Sequence, residues 1–203
     1  MSEITLPEYR GDTIRIRAAK VYDLDESVAA SKYPMQTDPD PKGTELTPTA
    51  VRLARCAPGT GHDNWLCGIR AAFDLTLTAK CLIEAERYHF LDIVSCNSTM
   101  HRITRFDPDR AYCRYVDRRA ISVMVELIDE YNADPAPAKL LRILYTNPAG
   151  FLYTLRADTN YRQLKTVYTQ RQDHRLIEWR ELCGWIETLP HAELIMGGGA
   201  DLA

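Results

Sequence analysis

The sequence has no Gly-x-Gly-x-x-Gly turn and no Gly-x-x-x-x-Gly-Lys-Ser/Thr loop. Those are the glycine-rich cradles that bring backbone N–H groups against dinucleotide or triphosphate oxygens, so a standard dinucleotide fold or an ATP-binding P-loop has no support. It also lacks a Cys-x-x-Cys pair. The six cysteines, Cys56, Cys67, Cys81, Cys96, Cys113 and Cys183, are scattered with no short Cys/His ladder beside them, so no metal site is expected. Several lie among apolar neighbours, where free buried thiols are common, and a reducing cytoplasm suits them. No stretch approaches the roughly 20 apolar residues of a membrane helix, and Met1 to Glu8 show neither a basic start nor a long apolar run. The expectation is a soluble, unexported, cytoplasmic protein with no membrane partner. Positive charge is not in excess either: 25 Lys and Arg against 28 Asp and Glu give a net charge of −3. Duplex nucleic acid is therefore not an expected partner, although a local basic cluster can hold a small anion. There is no internal repeat, and no Ser-His-Asp or Cys-His order stands out.

What is present is the balance of an ordinary globular chain. With 45% hydrophobic and 26% charged residues in 203, the chain can bury a core without disulfides, and we read residues 1–203 as one domain. Thr13 to Val21 alternate and then become helix-like, with Ile14, Ile16 and Ala18 on one parity, and predict a strand leading into a short element. Residues 32–49 carry Pro34, Pro39, Pro41, Pro48 and Gly43 and predict a long irregular loop. Thr47 and Pro48 form an N-cap and N1 pair, opening a helix through Val51, Leu53 and Ala54 that Pro58, Gly59 and Gly61 end. Phe73, Leu75 and Leu77 alternate with Asp74, Thr76 and Thr78, a half-buried strand. From Lys80 to Val94 the period becomes helical, with Ile83, Arg87, Phe90 and Val94 on one face. Further helices are expected from Asp117 to Tyr131, through Leu140 to Leu144, from Tyr161 to Tyr168, and from Ile177 to Leu189, where Pro190 stops the last. A second strand runs over Phe151 to Asp158, and residues 197–203 form a loose tail. Strands and helices mix without βαβ regularity, so the class is α+β with a mixed or antiparallel sheet flanked by helices.

Two segments carry candidate chemistry. In Asn160 to Arg180, the residues Asn160, Leu164, Val167 and Arg171 fall on one helical stripe, about three turns from end to end. An arginine on a partly apolar stripe needs a partner. A bound anion or polar ring would serve; so would an internal ion pair with Asp173 or Glu178. In Arg87 to Arg102, the residues Arg87, His89, Ser95, Asn97, His101 and Arg102 cluster around an apolar helix end. Ser and Asn there also suit caps and turns, and the histidines also suit a core or a surface.

In order along the chain, these residues resemble the motifs of the flavin-dependent thymidylate synthases. Ser95-Cys96-Asn97 with Arg102 five residues on resembles the family's Ser-x-Asn and following Arg. Leu141-Arg142-Ile143-Leu144 resembles its Ala-Arg-Ile-Val-Leu-Pro stretch. Asn160-Tyr161-Arg162, Arg171, His174 and Glu178 resemble its Asn-x-Arg, later Arg and polar helix, with one residue fewer before His174. Gly59-Thr60-Gly61-His62 is similar to its Thr-Pro-x-x-His turn. The resemblance spans nearly the whole chain. It implies transfer of a one-carbon unit from methylenetetrahydrofolate to dUMP through reduced FAD, with NADPH as reductant, in a homotetramer whose sites are shared between subunits, and without a cysteine nucleophile. By position it implies that Arg142 holds the nucleotide phosphate and that Arg171 binds the pyrimidine ring and stabilises charge developing on it. Arg102, Ser95 and Asn97 would face the nucleotide; His62, Asn160, Arg162 and His174 would face FAD.

The departures are local. Phe90-Leu91-Asp92 stand where the family has Arg-His-Arg, Ser98 where it has an acidic residue, and Met100 where it has a later Ser. Arg87, for the substrate, and His89, for the cofactor, one helical turn earlier, are the candidates to replace the lost polar groups. Three readings follow: thymidylate-type C5 transfer on dUMP or a related nucleotide; flavin- and folate-dependent hydroxymethylation of dCMP or dUMP; and a non-catalytic nucleotide-binding assembly protein without flavin. The aromatic final helix, with Trp179 and Trp185, offers either an oligomer surface or closure of the protomer's own core.

Overall fold

A computed structural model describes residues 2–38, 40, 43–57 and 60–197. Pro39, Pro41, Pro58, Gly59 and residues 198–203 of the tail, all within the readings above, lie outside the described residues. The strands are β1 (Glu3–Thr5), β2 (Tyr9–Arg10), β3 (Arg15–Tyr22), β4 (Arg70–Thr78), β5 (Leu91–Cys96) and β6 (Leu152–Asn160). They form one antiparallel sheet in the order β1-β3-β4-β6-β5, with β2 also paired to β3. The helices are α1 (Leu24–Ala30), α2 (Pro48–Ala54), α3 (Ala79–Ala85), α4 (Thr99–Arg102), α5 (Arg118–Ala133), α6 (Pro137–Thr146), α7 (Tyr161–Arg171), α8 (Ile177–Ile186) and α9 (Glu193–Met196). The class is α+β, as expected.

Alternation decides which side of the sheet is covered. Phe73, Leu75 and Leu77 of β4 and Leu155 and Ala157 of β6 are buried with Leu164 and Val167 of α7 and Trp179, Leu182 and Trp185 of α8. Phe73 and Trp185 meet with ring centroids 4.5 Å apart. The opposite side carries Asp74, Arg156 and Asp158, with Arg156 Nη1 3.2 Å from Asp74 Oδ1. A smaller apolar cluster joins α5 to α6 through Met124, Leu127 and Ile143. Both Trp179 and Trp185 are 1% exposed. They close the protomer's own core, so neither ring forms the oligomer surface that was the other reading of that helix.

Side-chain caps fix the start of several helices. Thr47 caps α2, its Oγ1 accepting from Ala50 N at 3.2 Å, and Asn160 caps α7, its Oδ1 accepting from Gln163 N at 2.9 Å; each satisfies a donor that the first turn leaves free. Two expectations need correction. Residues 80–94 are not one helix: α3 ends at Ala85 and β5 begins at Leu91. Ile83, Phe90 and Val94, the stripe that suggested a helix, are all about two-thirds exposed. Leu91 and Ile93 instead face the core opposite Thr159 and Ala157 of β6. The free edge of β6 offers a full ladder of backbone partners, and that outweighs a weak helical preference over so few residues. Second, Ala18 does not share a face with Ile14 and Ile16. The β3–β4 register shifts between Arg17 and Lys20, and Ala18 takes φ 48°. This bulge moves the buried parity to Ala19 and Val21.

Candidate functional site

The residues expected to act together along one helical stripe are divided between the two ends of α7. Asn160 is the N-cap and lines a cleft of about 210 Å³ with Arg162, Gln163, Thr166, Asp63, Cys67 and Phe90. Arg171 ends the helix, roughly 16 Å beyond Asn160 at 1.5 Å per residue. Equal angular phase is therefore not proximity: one face of a helix this long serves two separate environments.

At the first end, Arg162 Nε donates to Asp63 Oδ1 at 3.1 Å. Asp63 and Lys165 are each 1% exposed. Lys165 Nζ donates to Asp63 Oδ2 at 2.9 Å and to the backbone oxygens of Ala54 and Cys56, both at 2.6 Å. A buried ammonium has three donors and here has three acceptors, which is what makes its burial tolerable. The same contacts cap the C-terminal carbonyls of α2 and tie the segment bearing His62, which is exposed, to α7. Gly61, at φ 80°, supplies the left-handed turn before it.

At the second end, Arg171 is held in an aromatic box. Its Nε donates to Tyr88 Oη at 2.8 Å, and its Cζ lies 4.7 Å from the Trp179 ring centre and 5.5 Å from that of Tyr88. Glu84 is its acidic partner, 3.6 Å from Arg171 Nη1, rather than Asp173 or Glu178. Glu178 is buried and accepts from Thr78 Oγ1 at 2.6 Å. Glu84 also accepts from Lys80 Nζ at 2.8 Å and from Trp179 Nε1 at 3.0 Å, with His174 Nε2 3.7 Å away. The hydrogen bond from Lys80, followed by that from Trp179, holds the Glu84 carboxyl below its ordinary value. A polar groove of about 590 Å³ opens here, lined by Glu84, Gln170, Gln172, Asp173 and His174 among others.

The remaining candidates are dispersed. Arg87 and His89 are exposed in the turn between α3 and β5, not on a helix. Ser95, exposed, lies opposite Arg156 on the uncovered side of the sheet. Asn97 continues the ladder past β5: its N donates to Thr154 O at 3.1 Å and its Oδ1 accepts from Thr154 N at 2.9 Å, the turn chemistry that was its alternative reading. His101 and Arg102 are exposed on α4. Arg142 is exposed on α6, with Nη1 3.2 Å from Glu130 Oε2. Phe90, one of the departures from the family pattern, lines the cleft with Asn160 and Arg162.

Asp63, Lys165, Glu84 and Tyr88 were not among the candidates. Lys165 gave a signal: it lies four residues after Tyr161 and three before Tyr168, on the buried side of α7, where a lysine requires an acceptor. Lys80 and Glu84 are an i, i+4 pair. The six cysteines are free. Burial raises the Cys81 thiol and pushes that of Cys183 up to about 12, so neither is a ready nucleophile.

No protein-family model matches the sequence, and no curated protein does. Solved structures do match the fold. Thymidylate synthase X from Helicobacter pylori with FAD and dUMP superposes with a TM-score of 0.64 at 15% identity, over 91% of this chain and 96% of that one. A second structure of the flavin-dependent thymidylate synthase from Helicobacter pylori, also complexed with FAD and dUMP, gives 0.60 at 15%, over 96% and 98%. The UMP/dUMP methylase PolB from Streptomyces cacaoi, bound with 5-Br UMP, gives 0.57 at 16%, over 87% of both chains. At such identities the likeness is one of architecture, and the architecture of this chain is that of the flavin-dependent thymidylate synthases.

Proposed function

We propose that the chain is a one-carbon transferase acting at C5 of a pyrimidine deoxynucleotide monophosphate, dUMP or a close relative, with FAD, methylenetetrahydrofolate and NADPH. One observation carries this reading. Asn160 and Arg162, the pair expected to face FAD, line a single cleft at the start of α7, in a fold shared with a protein solved with FAD and dUMP. The lining suits part of such a cofactor. Phe90 offers an aromatic surface, and Arg162, Asn160, Gln163 and Thr166 offer polar atoms. The cleft's volume of about 210 Å³ is below the roughly 300–1,000 Å³ that encloses a whole small ligand. A second copy must then cover the rest of FAD, which is the role of the homotetramer in this reading. When bound, reduced FAD supplies the reducing equivalents. This chain's own residues bind and orient: Arg162, Asn160, His62 and His89 toward the cofactor, and Arg142, Arg102, Arg87 and Ser95 toward the nucleotide, whereas His174 lies at the Arg171 end of α7 and the Asn97 side chain is engaged by Thr154. Arg171 presents a planar set of donors to the pyrimidine carbonyl edge. The protein works as one domain in the cytoplasm; among the described residues no helix is long and apolar enough to cross a membrane.

The test is titration with FAD followed by quenching of flavin fluorescence, then incubation with dUMP or dCMP, methylenetetrahydrofolate and NADPH. The expected results are saturable quenching and a nucleotide heavier by one carbon unit, whose mass separates methylation from hydroxymethylation. Absence of quenching at FAD concentrations on the order of hundreds of micromolar overturns the flavin reading. A nucleotide-binding protein without flavin is the second reading, and Leu91 and Asp92 favour it. At two of the three positions where the family carries Arg-His-Arg, Leu91 is buried and Asp92 lies opposite Asp158, so neither supplies a cation.

A further inference from the structure

Arg162 has a guanidinium with five donors, and the structure engages only Nε, through Asp63 Oδ1. Its terminal nitrogens have no partner among the described residues, while the side chain lines the cleft and is one-third exposed. Among the described residues the Asp63 carboxylate is otherwise bound only to Lys165, and the residue is fully buried. Three formal charges are thus stacked from the interior outward: Lys165 positive, Asp63 negative, Arg162 positive. Lys165 is immobilised by two further backbone acceptors. The carboxylate cannot turn away without breaking a buried ion pair, so the edge of Arg162 that it holds is fixed, and the opposite edge is left for a ligand. The stack carries one excess positive charge at the cleft wall, which an anionic group on a ligand would neutralise.

We propose that Asp63, pinned from behind by Lys165, is the positioning residue for Arg162 and presents its terminal nitrogens to the anionic part of the ligand in this cleft. The proposal rests on the function given above for the identity of that ligand, FAD, and on the geometry alone for the role of Asp63. Neither residue belongs to a motif that suggested the site. Asp63 stands directly after His62, and Lys165 three residues after Arg162, so the device is built by packing of α2 and the segment before β4 against α7.

Two measurements decide it. The first uses the ligand-free wild type and follows exchange of the Arg162 Nε–H by NMR. A positioned guanidinium exchanges at least tenfold more slowly than the exposed Arg102, and Asp63→Asn removes the difference. Exchange as fast as that of Arg102 in the wild type overturns the proposal, whatever FAD does. The second is a double-mutant cycle on FAD affinity, read by fluorescence quenching. Asp63→Asn alone weakens binding roughly tenfold, and has no further effect in the Arg162→Ala background. An undiminished effect in that background means that Asp63 acts on the fold in general and overturns the positioning role. Slow exchange at Arg162 without any FAD binding by the wild type supports the positioning role and sinks the flavin reading instead. If Asp63→Asn does not fold, the wild-type exchange measurement still decides.

Discussion

The two ends of α7 hold an arginine each by opposite means. At the start, Arg162 is fixed by a buried carboxylate and ammonium, with every donor of Lys165 matched. At the finish, Arg171 lies against Tyr88 and Trp179, with Glu84 more loosely placed at 3.6 Å. The first arrangement is stiff and brittle, because removal of Asp63 or Lys165 takes away the partner of a charge held out of water. The second is tolerant, because stacking on a ring face is weakly directional and the carboxylate, about one-fifth exposed, keeps some access to solvent. In the proposed enzyme the stiff end meets the cofactor and the adaptable end meets the nucleotide.

The contrast breaks most visibly at Lys165. Lys165→Ala leaves Asp63 Oδ2 and two backbone carbonyls without their donor, and the expected loss is about 3–5 kcal/mol of folding stability. Chemical denaturation measures it. A loss below about 1 kcal/mol would show that water enters this end and that the network is not the rigid element described.

The fold was largely legible in the sequence, and the site only partly. The core-facing strands β4 and β6 and the helices α5, α6, α7 and α8 announce themselves by period, because each presents a long apolar stripe. β5 does not: six residues with one bulge between Ile93 and Ser95 give too few alternations to compete with a helical reading. Asn160 and Arg162 were visible as a spaced pair. Asp63, Glu84 and Tyr88 were not, since each reaches α7 across about 80 to 100 residues of chain, and no local pattern records such a contact. Lys165 shows what could have been seen: a charge on a buried helix face implies an acceptor even when its identity is hidden.

Arg171→Lys sharpens the comparison at the other end. A lysine keeps the charge but loses the plane that lies on Trp179 and the donor to Tyr88. If Arg171 binds the pyrimidine ring, affinity for dUMP or dCMP falls by about 1.5–3 kcal/mol, roughly ten- to a hundredfold, with a smaller change in melting temperature. Calorimetry on both proteins separates the two. Unchanged affinity for a nucleotide that the wild type clearly binds would leave Arg171 as part of the box alone.

The smallest effect belongs to Glu84. Its carboxyl is held below the ordinary value of 4.5, first by Lys80 and then by Trp179, with His174 adding to the attraction. A group whose folded value is depressed stabilises the protein above its unfolded value, and the contribution fades as pH falls through the folded one. The groups facing it are Lys80 from its own helix, Arg171 from α7, Trp179 from α8 and His174 between them. Glu84→Gln keeps an acceptor for the Trp179 N–H but removes the charge. The expected cost is about 1 kcal/mol near neutrality, shrinking to nothing as pH drops well below 4.5. Melting curves from about pH 3 to pH 7 should therefore converge for wild type and variant at the acid end. Parallel curves would mean that Glu84 is screened by water, and that the aromatic rings alone hold this end of α7.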